Sequence, residues 1–242
     1  MYQKNNIFIL SGMKVSDMIL SNPYFILMLE HFGIELEVHE KTVEQICLEN
    51  NIGLELFISF ANLFNGFKPP AQSGFSFDDV MTIVNYLISS HKYYLEEKYP
   101  RIRSSIQKMF EVNDKAEVLL VDKFFNEYFS EVKEHLRFEN EVVFPYVNHL
   151  HERLHNPDNH DAASAPSAAE YRARHNNIEE KLTDLKSLLI KYLPRNNDQQ
   201  IRRELLFSLF ELEYDLSIHS QIEDNILIPL MEQIERHLLQ NK

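Results

Sequence analysis

At 242 residues, with 44% hydrophobic residues and only 5 glycines, the chain can bury a core without covalent staples and reads as mostly helical. A net charge of −13 with no basic stripe argues against nucleic-acid binding, because phosphate affinity comes from clustered Lys and Arg. The single cysteine, Cys47, excludes an internal disulfide and any multi-cysteine zinc or iron–sulfur site within one chain; with no long apolar run and no signal-like N-terminus, a cytoplasmic protein without a membrane partner is expected.

Residues 1–66 read as a small helical N-terminal domain. Apolar clusters at Val15-Met18-Ile19, Tyr24 to Phe32, Val43-Ile46 and Leu54 to Phe64 are separated by Asn-Pro, Phe-Gly and Asn-Ile-Gly turns. The Pro-, Gly- and Ser-rich stretch at 67–76 reads as a linker, and Ser76 followed three residues on by Asp79 is a helix N-terminal cap signature. From 77 to 242 the chain shows four long periodic segments, at about 77–99, 114–150, 168–193 and 199–239. A further short helix is expected at 101–113, and a loop rich in His, Asp, Ala, Ser and Pro at 150–167.

Each long segment carries an apolar seam with steps of three and four residues. The second gives Val121, Phe125, Tyr128, Val132, His135, Glu139, Val142 and Tyr146; the fourth gives Leu205, Leu209, Leu212, Leu216, His219, Glu223, Ile226 and Leu230. The third gives Tyr171, His175, Ile178, Leu182, Leu185 and Leu189, and the first Phe77, Val80, Val84, Leu87, His91 and Tyr94. This spacing is the buried stripe of an all-α, antiparallel up-down four-helix bundle.

Two of these seams are copies. His135-Leu-Arg-Phe-Glu139, ending at Pro145, matches His219-Ser-Gln-Ile-Glu223, ending at Pro229, at an offset of 84 (219 − 135), and the same offset carries His91 onto His175. Pro145 and Pro229 are expected to kink their helices or end the main run. In His-x3-Glu the two side chains lie one turn apart on one helical face. Four histidines and two glutamates in a core incur a desolvation cost that a bound cation offsets, since neutral imidazole and carboxylate are its ligands. The symmetric partition gives each of two metals two histidines, with both carboxylates bridging. Room remains for an oxo or hydroxo bridge and an exogenous ligand. Iron suits such a site, with manganese the second choice. A satisfied core histidine is the bland reading of any one of these residues; six ligand types in register across two repeats favour the metal.

On these residues the segment from about 77 to 240 resembles the hemerythrin-like di-iron domain. More narrowly it resembles the bacterial repair-of-iron-centres family, which shares the apolar-Pro ending seen at Phe144-Pro145 and Ile228-Pro229. Residues 14–64 resemble that family's small N-terminal domain through Val15-Ser-Asp-Met-Ile19, Phe32-Gly-Ile-Glu35 and Lys41-Thr-Val-Glu-Gln-Ile46. The resemblance implies His91, His135, His175 and His219 as terminal ligands of two iron ions, with Glu139 and Glu223 bridging. It implies a role in nitrosative or oxidative stress: binding or reducing nitric oxide, oxygen or peroxide, or supplying iron for repair of iron–sulfur proteins. The alternative is a redox or gas sensor that uses the site without turnover. A homodimer is left open. Two departures bear on this choice: the family's adjacent cysteines are replaced by Leu36-Glu37-Val38-His39, and residues 92–134 lack the extra histidine found in some members.

Other polar residues have bland and functional readings. His149, His151, His155 and His160 suit solvated positions better than a secondary metal-binding tract. Glu131 and Asp215, one turn before the repeated histidines, read equally as hydrogen-bond partners of ligand imidazoles or as ordinary charges. Tyr94, Tyr128 and Tyr171 read better as core filling than as redox-active phenols or hydrogen-bond partners of a bound diatomic, and Cys47 as a small buried hydrophobe.

Overall fold

A computed structural model describes residues 7–68, 74–113, 115–156, 167–174, 180–193 and 198–240. The expected ligand His175, His160 and residues 69–73 of the expected linker lie outside the described residues. Among the described residues the chain is all-helical and forms no strand; an isolated bridge pairs Lys14 with Thr42. No helix among them is long and apolar enough to cross a membrane.

The N-terminal segment folds into α1 (Val15–Ser21), α2 (Phe25–His31), α3 (Val43–Asn50) and α4 (Leu54–Phe64). Thr42 and Gln45 form a reciprocal capping box that fixes the start of α3. Gly33, at φ 72°, supplies the left-handed residue that ends α2, letting Ile34 N–H reach back to Leu29 C=O at 2.8 Å. The following helix, α5 (Asp79–Lys92), is capped in part as expected, with the Ser76 N–H donating to Asp79 Oδ2 at 2.8 Å. Its Tyr86 ring packs on Phe32 and Phe60 with centroids 4.7 and 4.8 Å away, which ties this point of α5 to the N-terminal helices.

Next come α6 (Tyr99–Val112), α7 (Lys115–Phe138), α8 (Phe144–His155), α9 (Ala168–Arg174), α10 (Glu180–Ser187), α11 (Gln199–Ile222) and α12 (Ile228–Gln240). The loop expected from residue 150 begins later, because α8 runs on to His155. Widened π-helical turns occupy Tyr93–Lys98, Glu139–Val143, Leu188–Tyr192 and Glu223–Leu227. Each ends two residues before a proline in the sequence: Pro100, Pro145, Pro194 and Pro229. Proline has no N–H to donate and its ring crowds the carbonyl four residues back. Ahead of Pro100, Pro145 and Pro229, a turn with bonds five residues long accommodates that ring without ending the helix, whereas the turn at Leu188–Tyr192 is followed by an extended Leu193. Ile228 N–H bonds to Glu223 C=O in this manner. Pro145 and Pro229 therefore neither break the helix nor close it; each follows a π turn and sits in the first turn of the next α-helix.

The inserted residue shifts the buried stripe. Val121, Phe125, Tyr128 and Val132 are buried as the periodicity predicts, yet beyond Glu139 the buried positions are Val143, Val147 and Leu150, at 1, 0 and 2% exposure, while Val142 and Tyr146 are only half-buried. The repeat-equivalent Leu227, Met231 and Ile234 are buried too, here alongside Ile226 and Leu230.

The chain divides into two compact units, residues 1–89 with 141–175 and 218–242, and residues 90–140 with 176–217. In the first, α12 packs on α8 and α9. Glu235 ties the three together, its Oε1 accepting from Tyr146 O–H at 2.8 Å and from the Ala168 N–H at 2.9 Å. In the second, α7 packs on α6 and α10 around Ile102, Ile106, Phe125, Leu182 and Leu209, all fully buried.

Candidate metal centre

A buried imidazole–carboxylate cluster interrupts the apolar core of each unit. In the second unit, His91 lies on the last turn of α5, His135 on the last turn of α7, and Glu139 opens the π turn that follows. Glu139 is wholly buried and His91 is 1% exposed. His135 Nε2 stands 2.8 Å from Glu139 Oε1, and His91 Nε2 stands 3.3 Å from Oε2. Each carboxylate oxygen thus faces its own imidazole.

Asn140 Oδ1 lies 3.0 Å from His91 Nδ1. An amide oxygen can only accept, so Nδ1 carries the proton. Nε2 is the ring nitrogen turned toward Glu139, and an imidazole nitrogen beside a carboxylate oxygen is a donor pair that a cation can use.

In the first unit, His219 lies on the last turn of α11 and Glu223 opens the π turn that follows. His219 Nε2 is 3.4 Å from Glu223 Oε1, and the Tyr171 hydroxyl of α9 donates to that same oxygen at 2.6 Å. All three residues are buried, with 2, 0 and 1% exposure for His219, Glu223 and Tyr171. A phenol bonded to a carboxylate is a strong, charge-assisted interaction that orients Glu223. Tyr171 is therefore a carboxylate-positioning residue as well as core filling.

Glu131 is exposed and pairs with Lys181, the ordinary-charge reading. Asp215 is buried and accepts from the Tyr94 hydroxyl at 2.7 Å. One turn earlier on α11, Glu211 Oε1 accepts from both Tyr93 O–H and Lys98 Nζ at 2.5 Å. Lys98 is 1% exposed; burial pulls its ammonium below the usual lysine range, and Glu211 partly restores it.

Asn140 was missed by the sequence reading. The signal available was that both repeated glutamates are followed by an acceptor side chain, Asn140 and Asp224. Among the described residues the buried clusters offer imidazole nitrogen and carboxylate oxygen, a donor set suited to a first-row transition ion.

In comparison with known proteins, the chain matches no family model, no curated protein and no solved structure.

Proposed function

We propose that the chain is a non-haem di-iron protein of nitrosative or oxidative stress, built on an antiparallel four-helix bundle. His91, His135, His175, His219, Glu139 and Glu223 would hold the iron. The observation that carries this reading is Glu139, fully buried with a different imidazole nitrogen at each of its two oxygens. The 84-residue sequence repeat supports extending the same roles to the second half. When bound, the metal pair supplies Lewis acidity and one-electron redox chemistry. The chain's own residues keep the site dry, hold His91 in one tautomer through Asn140, and aim Glu223 through Tyr171. The substrate is a diatomic or a peroxide, or the iron itself is passed to damaged iron–sulfur proteins. The hemerythrin-like and repair-of-iron-centres resemblance supports this reading.

A gas or redox sensor is the second reading. It is favoured by the N-terminal segment, where Leu36-Glu37-Val38-His39 stands in place of paired thiols and the one cysteine, Cys47, is buried. Exposing reduced, iron-loaded protein to nitric oxide, oxygen and peroxide separates the two. Multiple turnovers, or iron transfer to an apo-ferredoxin, support the first reading. One stable stoichiometric adduct with no turnover supports the sensor, and no reaction with any of them contradicts both.

A further inference from the structure

A second set of ligand types lies on the surface of the first unit and shares no residue with the buried clusters. Asp78 immediately precedes α5, and His151 and His155 occupy successive turns at the end of α8. His151 Nε2 and His155 Nε2 stand 3.2 and 2.9 Å from a single oxygen, Asp78 Oδ1. The two nitrogens are 3.3 Å from each other, so three donor atoms from two separate segments close a triangle. Two residues four apart on a helix share a face, which lets both imidazoles reach one point. A tetrahedral zinc ion with bonds of about 2.0–2.1 Å spaces its ligand atoms by roughly 3.3 Å. The observed edges are equal to that spacing or a few tenths of an ångström short of it.

The surroundings admit an ion. The side chains of Asp78, His151 and His155 are 67, 25 and 54% exposed, so water can complete the coordination and the rings can adjust. Helix-end electrostatics explain an aspartate at the start of α5 and histidines at the end of α8 separately. They do not explain why both imidazoles turn Nε2 onto one oxygen. With two of three donors imidazole nitrogen, magnesium and calcium are poor candidates and the zinc class of borderline divalent ions is favoured.

We propose that Asp78, His151 and His155 form a surface site for one divalent transition ion of the zinc class, which clips the start of α5 to the end of α8. The proposal does not rest on the reading of the buried clusters. The test is calorimetric titration of the full-length, untagged protein with Zn2+, carrying whatever metal it holds when purified. One added Zn2+ per chain is expected. His151→Ala and His155→Ala should each weaken that binding by about tenfold or more, and Asp78→Asn by less. The combined Glu139→Gln and Glu223→Gln variant should retain it. With Cu2+ as a second probe, the electron paramagnetic resonance spectrum should show two nitrogen ligands in the native protein and fewer in either histidine variant. Because all three side chains are at the surface, the variants should keep the native circular dichroism spectrum. No added Zn2+, unchanged binding in the double variant His151→Ala with His155→Ala, or loss of all Zn2+ binding on changing Glu139 and Glu223 alone would each overturn the proposal. The first two results would leave the cluster as histidines hydrogen-bonded to an aspartate.

Discussion

His91 can serve a metal only if its ring is held in one orientation and one tautomer, and Asn140 does both by accepting a hydrogen bond from Nδ1–H at 3.0 Å. Asn140→Ala should therefore lower metal affinity by about 10–100-fold, the usual cost of losing such a partner. Asn140→Asp, which keeps an acceptor oxygen, should recover most of it; chelator competition followed by metal analysis gives the comparison. A purely structural role would leave affinity unchanged in both. Cys47 supplies a second residue-scale prediction. It is 2% exposed, and burial pushes its thiol up from 9.0 to about 12. The folded thiol should resist iodoacetamide at pH 8 and react only on unfolding. Since the folded pKa is the raised one, the stability linked to this thiol is complete below pH 9 and is lost as pH rises from about 9 to about 12. Urea midpoints across that range should fall less in Cys47→Ala than in the native chain.

At the scale of the helix, the informative feature is the π turn that begins at each repeated glutamate. Up to Glu139 the buried stripe was legible, because Val121, Phe125, Tyr128 and Val132 follow a simple helical period. Beyond it the stripe was not. Proline in a helix allows a break, a kink or a widened turn, and these leave different faces buried. The widened turn moved burial from Val142 and Tyr146 to Val143, Val147 and Leu150. Adjacent valines provide a matched test. Val143→Ala should cost about 1.5–3 kcal/mol, as expected for a fully buried side chain, and Val142→Ala less than about 1 kcal/mol. Equal costs in urea denaturation, or the reverse order, would return the stripe to an unshifted period.

At the scale of the whole molecule, the 84-residue repeat carried most of what could be read in advance. Helical content, the glutamates' burial and the His-x3-Glu pairings followed from residue type and spacing. The partners that orient those groups did not, because Asn140 and Tyr171 are ordinary residues until the fold places them 3.0 Å from His91 and 2.6 Å from Glu223. In the proposed iron protein, metal binding and folding are linked, since binding only the folded state stabilises it. Chelation should lower the melting temperature of the native protein by more than that of the combined Glu139→Ala and Glu223→Ala variant, as differential scanning calorimetry would show. Iron and stress chemistry rest on the proposed centre, so the decisive measurement is metal content with an absorption spectrum. The protein should be purified without affinity-tag histidines and with little air exposure, and then oxidised. About two irons per chain with a near-ultraviolet charge-transfer band, both lost in the Glu139→Ala and Glu223→Ala variant, is the predicted result. No metal after reconstitution, or full iron content in that variant, would contradict it.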